Sequence, residues 1–330
     1  MSIVDFKNVS IEYRLRKFTL CAVKNVDLSL EEGKITALVG ESGSGKTTLA
    51  TSLLNCISEP GVIAGGQVLF HGKDGTVDVG ALDKRDLNRF RWNKVSMVFQ
   101  GAQSALNPVV RIFDQFYETL QVHSDGKISK EEAMKISREC LKIVNLDADR
   151  VLRCYPHELS GGMKQRVMIA FALLLDPNVV ILDEPTTALD VITQDYIFSI
   201  LRRINRERNI AMLLLTHDIA VVSKYADYVA GMYGGRIMEY GTTEEVFSKK
   251  EHPYTEGLIN ATPSLIKKLE EMRPIPGAPP NLLDMPLGCV FHPRCPYADE
   301  RCGKEEPPSV VTEGGSTVKC WRCVKENVDA

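Results

Sequence analysis

The sequence predicts an α/β fold with a helical insert and a small distinct tail, and three observations carry that prediction. Short apolar, β-branched runs alternate with stretches of helical length through about the first 250 residues. Between Asn107 and Leu159 the strand signal fades, and "ISKEEAMKISRECLKIVNL" spaces its apolar residues at three and four with charges between. From Thr262 the composition changes: "RPIPGAPPNLLDMPLG" carries five prolines and two glycines, and five of the nine cysteines follow between Cys289 and Cys323.

Each element follows from its residues. "KITALVG" (34–40), "KVSMVFQ" (94–100), "NVVILDE" (178–184) and "IAMLLLTH" (210–217) read as buried strands, because they are apolar on both faces. Residues from about 104 to 170 read as a helical insert. The expected division is a core of residues 1–250 and a regulatory or dimerisation tail of residues 251–330. The proline-rich stretch reads as a linker or extended strap, and there is no internal repeat of 20–50 residues.

Composition excludes several function classes. With 40 basic and 43 acidic residues and a net charge of -3, the chain lacks the basic footprint that phosphate-backbone binding requires, so nucleic acid is not an expected partner. The longest strictly apolar run, "VMIAFALLL", is about half the roughly 20 residues that span a bilayer. The start "MSIVDFKNVSIEY" has neither a basic nor an apolar leader region. A soluble, unexported chain is therefore expected, with thiols in a reducing compartment, where clustered cysteines bind metal or do redox chemistry more often than they form disulfides.

Four stretches carry chemistry. "GESGSGKT" (Gly40–Thr47) fits G-x-x-x-x-G-K-[ST] between a strand and a helix-like stretch, the context that the motif's mechanism demands. Gly43 and Gly45 let successive N–H groups face phosphates, Lys46 reaches the β- and γ-phosphates, and the Thr47 hydroxyl suits Mg²⁺. "VVILDEP" ends an apolar strand with two carboxylates: Asp183 suits the Mg²⁺ shell, and Glu184 suits a general base for water. "LLLTHD" ends another strand with His217, able to hold a γ-phosphate and organise that base. "ELSGGMKQR" (Glu158–Arg166) places a Ser-Gly-Gly turn before a helix, a second anion-binding element far from the first. Two such elements in one chain suggest ATP sandwiched between two copies or two related chains.

In their order, with Gln100 closing "SMVFQ" and "ALD" at 188–190, these motifs make residues 1–250 resemble the nucleotide-binding subunits of ABC transporters: a P-loop NTPase core with a helical subdomain. The resemblance implies ATP contacts from Tyr13, which would stack on adenine, and from Gly40, Glu41, Ser42, Gly43, Ser44, Gly45, Lys46, Thr47 and Thr48. It implies catalytic roles for Glu184, His217 and Gln100, and Mg²⁺ contacts from Thr47, Gln100 and Asp183. Ser160, Gly161, Gly162 and Gln165 would face ATP held by the opposite subunit, and Asp190 falls in the loop after the catalytic glutamate. Met163 stands where the family's commonest signature has glutamine, which leaves the Ser-Gly-Gly amides intact. "FQGAQSALNPVVRIFDQ", "HPYTEGLINATP" and "PIPGAPPNL...GCVFHPRCPYA" extend the resemblance to about residue 323, to the dipeptide and oligopeptide importer ATPases, a branch that also carries oligosaccharides. It implies a second, paralogous ATPase as partner, two transmembrane permeases, a solute-binding protein acting indirectly, and a peripheral place on the cytoplasmic face of the membrane. The reading from another class is a soluble ABC ATPase of DNA repair or translation with a metal-binding tail; the single unit, short insert and absent basic excess weigh against it.

The cysteine segment has few large apolar residues, so a cross-link is expected to fold it. Cys289, Cys295, Cys302 and Cys320 are separated by five, six and seventeen residues, and only Cys320 and Cys323 show the two-residue gap of paired zinc ligands. Spacing leaves open zinc, with Cys323 or His292 contributing, and plain thiols. The resemblance to the importer tail implies a [4Fe-4S] cluster on the four.

Overall fold

A computed structural model describes residues 1–101, 104–124, 126–187, 189–261 and 274–324. Ala102, Gln103, Ala188, Thr262, Pro263 and Arg273, which the stretches quoted above include, lie outside them. The chain divides into two compact units, one of Met1–Glu31, Thr36–Ala81 and Leu215–Ala330, the other of Glu32–Ile35 and Leu82–Leu214.

The chain opens with two long strands, β1 (Ser2–Arg14) and β2 (Thr19–Glu31), paired antiparallel with β1 burying Val4, Phe6, Val9 and Ile11. β3 (Ile35–Val39) is buried at every residue and leads through the glycine-rich loop into α1 (Lys46–Ser52). β4 (Gly61–Gly72) and β5 (Gly75–Asp78) complete an antiparallel sheet in the order β2-β1-β4-β5. The second unit continues with α2 (Lys84–Asn93), whose N-terminus Asp83 caps through the Asp86 N–H, and with β6 (Val95–Val98).

The expected helical insert is made of α3 (Ile112–His123), α4 (Lys130–Ile143), α5 (Ala148–Val151) and α6 (Gly161–Ala172). Here α4 faces its partners with Ala133, Ser137, Cys140 and Leu141, the three-and-four spacing read from sequence. β7 (Val179–Asp183), α7 (Val191–Arg208) and β8 (Ala211–Thr216) follow, the strands ordered β8-β7-β6 with β6 parallel to β7. All four buried strands expected from the sequence are therefore present as β3, β6, β7 and β8.

The remaining elements belong to the first unit: α8 (Ile219–Tyr225), β9 (Tyr228–Tyr233), β10 (Arg236–Thr242), α9 (Thr243–Lys249) and α10 (Pro253–Ala261). Two short tail strands, β11 (Val310–Val311) and β12 (Thr317–Val318), extend that sheet in the order β11-β12-β10-β9-β3. Among the described residues no helix is long and apolar enough to cross a membrane.

One expectation for the tail is not displayed. Among the described residues no group of three or more His, Cys, Asp or Glu side chains is placed to hold a metal, so a metal-stapled extension is not what the geometry displays. The tail is anchored by other means. Val290 and Phe291 are 1% exposed and complete a core with Tyr233, Met238 and Tyr254, the Phe291 ring lying 5.2 and 5.4 Å from those of Tyr233 and Tyr254. β12 pairs with β10, and Arg236 donates to Glu306 at 2.8 Å. The scarcity of apolar residues within the tail misleads because the tail completes a core whose other half lies outside the cysteine segment.

His252 shows how that junction depends on pH. Its ring is buried, Nδ1 accepts from the Tyr254 N–H at 2.9 Å, and burial holds its pKa down at about 3. The unfolded imidazole takes up a proton near its ordinary value of about 6.5, so below that pH the unfolded chain binds more protons and stability falls. The thermal midpoint should drop as pH falls from about 6.5 towards about 3, and His252→Gln should flatten that slope over about pH 7 to 4. Parallel slopes for the two proteins would assign the acid sensitivity elsewhere.

Candidate functional site

The phosphate loop begins where β3 ends. Gly40 sits at φ 157°, and a Cβ there would lie 2.2 Å from the Met232 carbonyl oxygen. Gly45, at φ 101°, is the residue before α1, and a Cβ there would meet the Ala22 carbonyl oxygen at 2.6 Å. Both positions therefore require glycine, for space as well as for conformation. Within the loop Lys46 is buried, and its ammonium donates to the Gly40 carbonyl at 2.7 Å, the Glu41 carbonyl at 2.9 Å and the Ser44 hydroxyl at 3.4 Å. The lysine that the motif aims at phosphate is thus folded onto its own loop.

Neighbours brace the loop from two sides. The Gly235 N–H, in the β9–β10 turn, donates to the Ser44 carbonyl at 3.0 Å, and the Glu41 N–H donates to the Tyr254 hydroxyl at 2.9 Å. Ser42 and Gly43 share with Ser44 a small cavity bounded by Pro279, Pro280 and Leu282 of the proline-rich strap. On β1, the Tyr13 hydroxyl lies 3.5 Å from the Thr48 hydroxyl, which places the expected adenine-stacking ring beside the helix that Lys46 and Thr47 open. His217 is exposed immediately after β8, and Asp218 caps α8 behind it through the Ala220 and Val221 N–H groups.

The second unit assembles the carboxylates. Asp183 is the buried last residue of β7. Glu184 follows at φ 44°, a left-handed conformation uncommon outside glycine and asparagine. Gln100, 84 positions earlier, donates from Nε2 to Glu184 Oε2 at 2.8 Å, and the Thr187 hydroxyl donates to the same oxygen at 3.1 Å. The Glu184 carboxylate is therefore held by Gln100, two residues beyond β6, and by Thr187 of its own turn. Sequence reasoning missed Thr187; its place three residues after Glu184, within reach of the same turn, is the signal that could have found it.

The signature turn lies on the same unit. Ser160 is exposed and caps α6 through the Met163 N–H at 3.4 Å, a long and therefore weak bond, while Gly161 and Gly162 are half-buried at the helix start. Gln165 is placed differently: it is buried, and its Nε2 has no hydrogen-bond partner among the described residues. Asp190 caps α7, accepting from the Thr193 N–H at 2.9 Å and hydroxyl at 2.7 Å, and these bonds, the hydroxyl's first, hold its carboxyl below the usual range. Val191 and Ile192, the next two residues, are exposed apolar side chains.

The four tail cysteines form no disulfide. Cys289 and Cys320 are buried, and Cys295 and Cys302 pack against the same apolar cluster as Cys289. Burial first, with the charges of Cys295, Cys302 and Cys320 added, pushes the Cys289 thiol up to about 11.

A glycine-rich loop folded round a lysine after a strand in the first unit, and a carboxylate pair at a strand end with a Ser-Gly-Gly helix start in the second, are the parts of an ATP-hydrolysing cassette. The family comparisons agree: a model for ABC transporters matches residues 23–187, and one for the C-terminal region of oligopeptide and dipeptide transporters matches residues 238–302. The chain belongs to the ABC transporter ATPases of the dipeptide and oligopeptide importer branch, and its activity is theirs, ATP hydrolysis coupled to import. It is 42% identical to a dipeptide transport ATP-binding protein of Caldanaerobacter subterraneus subsp. tengcongensis, over 96% of each chain. It is 41% identical to an oligopeptide transport ATP-binding protein of Escherichia coli, over 98% of this chain and 94% of that one. A dimeric bacterial ABC transporter cassette superposes with a TM-score of 0.63 at 31% identity, covering 73% of this chain and 98% of that one.

Two substitutions separate binding from chemistry. Glu184→Gln replaces the carboxylate with an amide of the same shape, and hydrolysis should fall by about 10² to 10⁴ while ATP still binds. Lys46→Ala removes the ammonium and should weaken binding itself. Phosphate release and nucleotide titration read the two apart; full turnover in Glu184→Gln would remove that residue from the role.

Proposed function

We propose that this chain powers the import of small peptides from the cytoplasmic face of the membrane, as one of two different ATPase subunits docked on two transmembrane permeases that a solute-binding protein supplies. The observation that carries the catalytic part is the Gln100–Glu184 hydrogen bond, which ties a strand-end glutamine to a base beside a buried aspartate. The peptide cargo rests on the C-terminal region match and on the names of the relatives, which speak for peptides rather than oligosaccharides. Those same relatives, matched nearly end to end, weigh against a soluble repair or translation ATPase.

In this reading Tyr13 stacks on adenine, and the amides of the loop from Gly40 to Thr48 with Lys46 hold the phosphates. Triphosphate oxygens replace the Gly40 and Glu41 carbonyls as the acceptors of Lys46. Thr47, Asp183 and Gln100 would hold Mg²⁺, which supplies positive charge against the β- and γ-phosphates when bound. Glu184 takes a proton from the water that attacks the γ-phosphorus, and His217 holds the γ-phosphate in line. Ser160, Gly161 and Gly162 serve the ATP of the partner subunit, with Gln165 buttressing their helix from inside and Asp190 at the subunit junction. Pairing this chain, defective at Ser160, with a partner ATPase defective at its own phosphate-loop lysine should leave one composite site and a fraction of the activity; a lone, dilute chain as active as the assembled transporter would rule out the sandwich.

The tail thiols have a reading of their own. Cys289 and Cys320 are buried and Cys295 and Cys302 half-buried, and thiolates are the soft donors that iron–sulfur and zinc centres take. A [4Fe-4S] cluster on the four suits that donor set, with zinc as the other metal. Anaerobically purified protein should be brown and carry about four iron per chain, and Cys295→Ser should bleach it. A colourless protein with stoichiometric zinc decides for zinc, and one with neither metal leaves plain thiols.

A further inference from the structure

We propose that Arg294, delivered by the cysteine-bearing tail, is a positioning residue of the phosphate loop: it neutralises Glu41 inside the anion-binding loop and so keeps that loop receptive to a triphosphate. The inference rests on the ATP-binding role of Gly40–Thr48 but adds a residue about 250 positions away that motif reading does not reach.

The contact is direct and buried. Arg294 Nη1 donates to Glu41 Oε2 at 2.6 Å and Nη2 donates to Oε1 at 3.0 Å, the paired geometry that guanidinium and carboxylate favour. The Arg294 side chain is 5% exposed. Its Nε donates to the Pro276 carbonyl at 2.7 Å, and Nη1 also donates to the Tyr233 hydroxyl at 3.3 Å. The strap and β9 therefore fix the guanidinium whether or not Glu41 holds it. Its backbone lies between Phe291, locked into the Tyr233–Tyr254 core, and Cys295.

Charge gives the contact its function. Glu41 is the second residue of a loop built to bind an anion, so its carboxylate opposes the triphosphate unless something cancels it. Arg294 is that something. The Glu41 backbone matters too, since its carbonyl is one resting acceptor of Lys46 and its N–H is held by Tyr254. The second brace points the same way: the Gly234–Gly235 turn that donates to Ser44 is covered by Met285, Pro280 and Val290, which a Cβ on Gly234 would meet at 2.9, 3.5 and 3.6 Å. Both supports of the phosphate loop are thus finished by residues of the tail.

The sign of three variants in the full-length chain tests this, read as ATP affinity by nucleotide titration. Arg294→Gln leaves a bare carboxylate in the loop and should weaken ATP by about tenfold, less at high salt. Glu41→Gln leaves an unopposed guanidinium and should instead tighten ATP by about threefold. The double variant should return to near the wild-type affinity. A purely architectural pair predicts the opposite pattern, with both single variants weakened alike and no recovery in the double. Should Arg294→Gln fail to fold, Glu41→Gln alone decides, because tighter binding supports the proposal and weaker binding overturns it. Wild-type chain that does not bind ATP at all would strike the cassette reading itself, a distinct failure.

Discussion

An ammonium taken out of water costs several kcal/mol unless its N–H groups find acceptors, and Lys46 is buried at the first turn of α1. Two carbonyls and a hydroxyl of the loop that the lysine closes accept from it. That arrangement constrains everything around it. The loop must turn back on itself, which demands glycine where β3 ends and again where α1 begins, and the turned loop must be braced from outside, which the β9–β10 turn and Tyr254 do. In the proposed reading ATP binding exchanges the acceptors of Lys46, and the braces from Gly235 and Tyr254 are separate from the lysine.

The signature turn is built on the same economy of means. Ser160 is occupied by its own helix, capping α6 over a bond of 3.4 Å, near the limit at which a hydrogen bond still counts. A weak local partner suits a hydroxyl whose proposed use is a phosphate on another subunit, since little is lost on transfer. Asp190 contrasts with it: two short bonds from Thr193 lower its pKa and fix its carboxylate as a permanent cap on α7. One side chain has a single long local bond and the other two short ones, and the exposed Val191 and Ile192 follow the latter.

The parts of this chain legible in sequence are those where one local rule dominates. The apolar runs of β3, β6, β7 and β8 declare themselves because both faces are buried, and the phosphate motif declares its own backbone. β1 and β2 were not read as a pair, because register shifts at several points along their ladder break the period-two alternation. Gln100 and Glu184, 84 residues apart, could be linked only through a family pattern. Arg294 gave no signal at all: in "HPRC" it looks like a surface residue beside a cysteine, and only the folded chain sets it against Glu41. The cysteines drew attention to the tail for metal chemistry, while its observed anchors, Phe291, Tyr254 and β12, are ordinary core and sheet residues whose partners are remote in sequence.

Glu184 joins these strands of argument, because its backbone stores a cost that its side-chain bonds must hold. A left-handed glutamate lies about 1–2 kcal/mol above the helical or extended alternatives, and such residues persist where the surroundings over-determine them, most often at functional sites. Here the surroundings are specific: the Thr187 N–H donates to the Glu184 carbonyl, the Thr187 hydroxyl lies 3.1 Å from both that carbonyl and the carboxylate, and Gln100 donates to the carboxylate. Gln100, two residues beyond β6, lies outside the Glu184 turn, so the carboxylate is restrained from a second segment of the same unit. The strained turn makes that restraint informative, since a relaxed glutamate would keep its place whether Gln100 held it or not.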